Sequence, residues 1–215
     1  MVSLILTCWK RFDNFEKIIN VWLNEKEIDE IIVWDNLGEF KTTLPITVIN
    51  SNYNFGSSVR YALGTLVKNE IVLFADDDIM PQKGITTDFL AHFKSNRLLG
   101  VTGRIFQGSY ANHTLVDFTK TNKLIRVDFL VGYLMMMHRD NLLGFNYRNA
   151  PWYCCELELE GKLKERDVEL YVVPTSKWEM LPEGSDKNAL YLAEGAAKEK
   201  EEVWAKYFKG VTNAK

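Results

Sequence analysis

The segment Glu70-Ile-Val-Leu-Phe-Ala75 runs directly into Asp76-Asp77-Asp78. A short, unbroken apolar run reads as a strand buried on both faces, and such a strand cannot continue through three carboxylates. The chain must surface at residue 76, which gathers three like charges at one strand end. Within a few ångströms these charges repel and raise one another's pKa unless a cation compensates them. The same aspartates could instead stand in a solvated turn or cap a helix, where carboxylates face backbone N–H groups. The segments around them decide between these readings.

Three further apolar runs come first, at residues 2–7, 31–34 and 46–49. Between the first two, Asp13 reads as an N-cap with Glu16 three residues on, and Phe15, Ile18, Ile19, Trp22 and Leu23 recur at helical spacing. Asn52-Tyr-Asn-Phe-Gly56 reads as a turn into a second helix carrying Val59, Leu63 and Leu66. Strand, helix, strand, strand, helix, strand, with apolar runs throughout, predicts an α/β fold: a mostly parallel sheet flanked by helices on both faces. In such sheets ligands bind beyond the carboxyl ends of the strands. Residues 7–11, Asp35-Asn36 and Asp76 to Asp78 are therefore expected to converge on one crevice.

The second half is more mixed. Residues 89–93 suggest a helix, 100–106 a short strand, 107–125 a polar loop region, and 126–137 a long β-like run that leads to His138. Residues 152–164 look helical, and 168–173 form a strand stopped by Pro174. Pro182, Gly184, Ser185 and Asp186 make 175–188 a candidate mobile loop, after which 189–208 return to helix. A single domain over 1–215 is expected, with 1–106 as its nucleotide-binding half and 107–215 as its acceptor-side half. A length of 215 residues suffices for a full α/β core. Whether further domains belong to a longer native chain is open.

A net charge of −3 gives no electrostatic case for nucleic acid as a partner. Three cysteines, two of them adjacent (Cys154 and Cys155), do not make a disulfide framework. A reducing compartment is the simpler reading, and cytoplasmic, soluble protein the expectation. The apolar N-terminus is too short for a signal-peptide core, and no run approaches the roughly 18 to 20 apolar residues of a membrane span.

Hard carboxylate oxygens at a strand end suit Mg²⁺ or Mn²⁺, held through one or two carboxylates together with a substrate phosphate. Departure of a diphosphate is the chemistry that uses such an ion, because the cation offsets charge building on the leaving group.

At this point the chain resembles a known family. Ile5-Leu-Thr-Cys-Trp-Lys-Arg11, Ile32-Val-Trp-Asp-Asn36, Leu73-Phe-Ala-Asp-Asp-Asp-Ile79 and Val131-Gly-Tyr-Leu-Met-Met-Met-His-Arg139 stand in the order found in GT-A fold glycosyltransferases. The details look most like the exostosin-type C-terminal transferase domain, and Asn54-Phe-Gly-Ser-Ser-Val-Arg60 is similar to a segment of general sugar-transferase domains. The match spans residues 1 to 175, and only the order and spacing of the motifs make it specific.

The resemblance implies a GT-A type, Rossmann-like mixed sheet and metal-dependent transfer of a sugar from a UDP-sugar to a hydroxyl of a glycan or glycoconjugate acceptor. Thr7 and Arg11 would line the nucleotide pocket, Asp35 or Asn36 would hydrogen-bond the base, and Arg60 would lie against the base or diphosphate. Asp76 and Asp77 would belong to the nucleotide-sugar site. Asp78, with Asp76, would hold Mn²⁺ or Mg²⁺. In Trp152-Tyr-Cys-Cys-Glu-Leu-Glu158 the catalytic carboxylate would be Glu156 or Glu158, because Leu157 stands where related domains carry a second acid. Trp152, Tyr153 and Trp178 are candidate sugar-stacking faces, and the exostosin-like look tilts toward retention of configuration. No histidine follows His138, so the late histidine ligand of many such enzymes is missing. A structural role suits His138 better than metal ligation. Three other readings compete, and one of them, a phosphatase with an Asp-x-Asp nucleophile, would carry Thr or Val next, where Ile79 and Met80 stand. A sugar-1-phosphate nucleotidyltransferase would open with a Gly-rich basic loop, and residues 7–11 hold no glycine. A catalytically inactive glycan-binding module would keep the fold without the chemistry.

Overall fold

The structure is a computed structural model and describes residues 1–117, 122–182 and 192–210. In chain order the first half forms β1 (Val2–Cys8), α1 (Phe15–Leu23), β2 (Ile28–Asp35), β3 (Thr47–Asn50), α2 (Val59–Leu63) and β4 (Ile71–Asp76). Then come β5 (Ile79–Pro81), α3 (Ile85–Leu90), β6 (Arg97–Gly100), β7 (Thr102–Phe106), β8 (His113–Asp117), β9 (Ile125–Arg126), β10 (Phe129–Leu130) and β11 (Leu134–His138). The chain continues through α4 (Cys155–Lys164), β12 (Glu169–Val172), β13 (Trp178–Met180) and α5 (Ala196–Tyr207).

The main sheet has eight strands in the order β3-β2-β1-β4-β11-β6-β12-β9. β1 runs parallel to both β2 and β4, β3 parallel to β2, and β12 parallel to β6. β11 is inserted antiparallel between β4 and β6. Successive side chains of a strand point to opposite faces, and the core divides accordingly. Leu4, Leu6, Leu73, Ala75, Leu134 and Met136 pack with Phe15, Ile18, Ile19 and Trp22 of α1 and with Ile85 and Phe89 of α3. Ile5, Val72, Phe74, Met135 and Met137 face the other way, against Tyr61 of α2 and Cys155, Leu159 and Leu163 of α4. The expected helix-covered α/β sheet is thus present, with its central strands β1, β4, β11 and β6 buried on both faces.

Several local expectations give way to the structure. α1 starts after Asn14 rather than Asp13, and no side chain caps it. A backbone turn, Phe15 N–H to Phe12 O, stands where the capping box was expected. β3 is an exposed-to-half-buried edge strand, not a doubly buried one. α2 stops at Leu63, and Leu66 is exposed. The region 107–125 is not simply loop: β8 forms a hairpin with β7, and β9 pairs with β12. The β-like run at 126–137 breaks into three pieces in different places, because Phe129–Leu130 joins β7 in a separate three-stranded sheet before the chain crosses to β11. Part of the candidate mobile loop is held as well. β13 pairs with β5, and Lys177 Nζ meets Asp88 Oδ1 at 2.7 Å while Thr175 donates to Asp88 Oδ2. Residues 183–188 of that loop, and 189–191 of the helix expected after it, lie outside the described residues.

A third cluster joins α4 to α5 and the small sheet through Phe129, Leu157, Val203, Trp204 and Phe208. No helix among the described residues is long and apolar enough to cross a membrane.

Candidate active site

The carboxyl ends of β1, β2 and β4 open onto a cavity of about 520 Å³. Thr7, Arg11, Asn36, Arg60 and Asp76 to Asp78 line it at the strand ends, and Arg104, Tyr110, Gly132, Trp152, Tyr153, Glu156 and Lys200 belong to the same lining. Residues far apart in the chain therefore meet where parallel strands end. The reversed strand contributes too: β11 starts at this edge, and Asp76 N–H donates to Tyr133 O just before it.

The three aspartates are held by two guanidiniums. Arg11 Nη1 lies 3.1 Å from Asp77 Oδ1 and also pairs with Asp78. The Trp9 amide donates to Asp77 Oδ2 at 3.0 Å. Arg60 Nη1 lies 2.7 Å from Asp76 Oδ1, and the same side chain donates to Ser57 O and Gly132 O. Arg60 is itself buried, so α2 serves to bring one cation under the strand end. Three carboxylates against two guanidiniums leave an excess negative charge. Burial, with Arg11 opposing it, pushes Asp77 up to about 6. Burial and the neighbouring Asp76 and Asp77 push Asp78 up to about 7.

Glu156 lies on the first turn of α4 and faces the cavity. Burial raises its pKa, with Arg60 and Lys200 pulling the other way. A Cβ at Gly132 would stand 3.2 Å from Glu156 Cγ, so glycine there leaves room for this carboxylate. Gly56, at φ +69°, lets the Trp152 ring lie where a Cβ would be 3.1 Å from it, and that ring is 41% exposed at the cavity mouth.

Two of the residues singled out in the sequence lie elsewhere. Asp35 is fully buried and accepts from the amides of Leu37 and Phe40, so its carboxylate shapes the loop after β2 and does not reach the cavity. Glu158 lies on a different face of α4 and meets the Tyr207 hydroxyl, Lys162 and Lys206. A helix turns about 100° per residue, so positions two apart diverge. Asn36 does line the cavity, but its amide is engaged by Trp34 Nε1, the Phe55 amide and Gly56 O. Trp178 packs on Tyr133 instead of lining the cavity, and His138 accepts from the Asp140 amide. Burial raises the pKa of all three thiols, as suits unreactive core cysteines.

Arg104, Tyr110 and Lys200 were not singled out from the sequence. One faint signal existed for Lys200: it shares a helical stripe with Ala196, Val203 and Trp204, which are buried. A lysine on such a stripe is out of pattern.

No family model matches the sequence, and a search of curated proteins returns no match. In shape, the chain is similar to GalNAc-T7, whose crystal structure holds UDP, GalNAc and Mn²⁺. The TM-score is 0.65 at 11% identity, over 85% of this chain and 44% of that one, so this chain spans less than half of the length of the one it matches. Identity this low speaks to architecture alone. The architecture is GT-A-like; the likeness does not extend to the narrower exostosin-type resemblance.

Proposed function

We propose that this chain is a glycosyltransferase that moves a sugar from a UDP-sugar to a hydroxyl of a glycan acceptor, with residues 1–106 supplying most of the donor site and the rest the acceptor side. The observation that carries the reading is the gathering of Asp76, Asp77, Asp78, Arg11, Arg60 and Glu156 around one cavity at the ends of parallel strands. The GalNAc-T7 structure with UDP, GalNAc and Mn²⁺ supports the choice of donor and ion.

The residues present fit a divalent cation of a particular kind. Among the described residues no group of three or more His, Cys, Asp or Glu forms a ready-made cage. Asp78 and Asp76 offer hard oxygen donors and an uncompensated charge, which suits Mn²⁺ or Mg²⁺ taking its remaining ligands from diphosphate and water. When bound, such an ion supplies charge neutralisation at the departing diphosphate.

The chain's own groups account for the rest. Arg11 and Arg60 lie within reach of an anionic leaving group and add fixed positive charge in a partly desolvated site, where it counts for more than in water. Thr7 and Asn36 border the nucleotide end. Glu156 accepts the proton of the incoming hydroxyl, a role favoured by a pKa that burial raises above the ordinary carboxylate value. Trp152 and Tyr153 offer flat faces on which a sugar ring can stack.

Calorimetry with UDP tests the donor site. Binding that appears with Mn²⁺ and vanishes with chelator is expected. UDP that fails to bind under either condition, or nucleoside triphosphates that bind equally well, would overturn the reading.

A further inference from the structure

The cavity lining carries two sets of charged groups. At the aspartate end, three carboxylates face two guanidiniums, for a net charge of about −1. Elsewhere in the lining, Arg104 and Lys200 stand with the one lining carboxylate of Glu156; Glu199 also acts on Lys200, but it is engaged by the amides of Trp152 and Tyr153 and does not line the cavity. Neither Arg104 nor Lys200 makes an ion pair within 4 Å among the described residues, whereas Arg11 and Arg60 are both paired. Arg104 Nε is buried without a hydrogen-bond acceptor.

Both cations are put there by construction. Thr102 and Arg104 lie two apart on β7 and face the cavity together. The Arg104 guanidinium lies over the Tyr110 ring, 4.7 Å from its centroid. Tyr110 is in turn tied to α5, since its amide donates to Glu201 Oε2 at 3.1 Å. α5 itself is pinned by Glu199, whose carboxylate accepts from the amides of Trp152 and Tyr153, and by Trp204 beneath it. Lys200 sits between Glu199 and Glu201 in sequence but points inward, where partial burial lowers its pKa. A lysine ammonium and an arginine fork, held partly out of water and without an ion pair of their own among the described residues, suit a bound carboxylate or phosphate.

The geometry points to a second anion subsite, formed by Arg104 and Lys200 with the Tyr110 hydroxyl, that takes a carboxylate or phosphate group carried by the acceptor. The enzyme's acceptor is accordingly an acidic sugar or a sugar phosphate, not a neutral glycan. The inference rests on the reading of the cavity as a sugar-transfer site. It assigns the anion to the acceptor because the aspartate end, with its cation, already has the donor diphosphate to hold.

Binding of matched probes to the whole chain tests it. In the presence of UDP and Mn²⁺, methyl glucuronide, methyl galacturonide, glucose 6-phosphate and their neutral counterparts are titrated by calorimetry or ligand-observed NMR. At least one acidic probe is expected to bind roughly tenfold or more tightly than its neutral counterpart, as a charge-assisted contact allows. Lys200→Gln and Arg104→Gln are expected to erase that preference, Lys200→Arg to keep most of it, and all three to bind UDP as the parent does. A parent that prefers no acidic probe overturns the inference, as does a preference that survives both Gln variants. If the variants lose UDP affinity instead, the cations serve the donor diphosphate and the assignment to the acceptor is wrong. Failure of UDP to bind the parent at all would count against the transferase reading itself, and so is separable from failure of the subsite.

Discussion

A carboxylate that takes a proton near neutral pH must hold it more tightly than a free glutamate does. Glu156 meets that requirement through burial, and Glu156→Gln is expected to lower kcat by about 10²- to 10⁴-fold while calorimetric UDP affinity stays unchanged. Asp78→Asn should abolish metal-dependent turnover with the circular dichroism spectrum unaltered, whereas near-parental turnover would remove Asp78 from the metal site. Glu160, on the same helix, has no part in the chemistry. It is fully buried, accepts from the Leu130 amide, and has a pKa pushed well up by burial, with Glu156 adding to the rise and Lys164 opposing it. The folded state thus binds this proton more tightly than the unfolded chain, so stability is fullest at acid pH and falls as pH climbs through the folded pKa. Melting temperatures taken from about pH 5 to about pH 8 should decline less in Glu160→Gln than in the parent. At this scale the sequence was informative about residues that sit at strand ends and misleading where two candidates differed by one or two positions. Asp35 and Asn36, or Glu156 and Glu158, cannot be ranked without knowing which way each side chain turns. Arg104 and Lys200 carry no local motif; only the folded chain brings them together.

Elements were legible in proportion to how much of their identity is local. β1, β2 and β4 are short apolar runs ended by polar residues, and they appear nearly where their patterns place them. The three-stranded sheet was missed because β8 is a short segment in which three of five residues are polar, and β10 is only two residues long and takes its partner, β7, from beyond that hairpin. α3 shows the same non-local logic. Its first amides are answered by Glu25, from the segment after α1, with Gly84 N–H at 2.6 Å from Oε1 and Thr86 N–H at 3.1 Å from Oε2. Glu25→Ala leaves these buried donors without their acceptor and should cost about 1 to 3 kcal/mol in chemical denaturation. α5 depends on packing more than on its own propensity. Trp204, 6% exposed, fills the space between α5, Phe106 and Phe129. Trp204→Ala should cost about 3 to 5 kcal/mol, and hydrogen exchange at residues 196–208 should rise ahead of that in β1 and β4.

For the whole molecule, the architecture followed from the first 80 residues, because alternating strands and helices with doubly buried runs admit few arrangements. What they did not reveal was β11, whose reversal depends on the chain first visiting the small sheet and returning through Val131-Gly132-Tyr133. The cavity lies across both halves, so occupying it should stabilise the fold as one unit. UDP with Mn²⁺ at about a hundred times its dissociation constant should add about 2.7 kcal/mol, a rise in Tm of roughly 5 to 11 °C for a chain of this size, and chelation should reverse it. The reversed strand has one more consequence. Because β11 presents its beginning where its neighbours present their ends, the stretch that leads into it borders the cavity, at Tyr110, Leu115, Phe129, Val131, Gly132 and Tyr133. Among lineages that keep this scaffold, changes of diet are expected to be written there, in the stretch between β7 and β11, while the aspartate edge stays as it is.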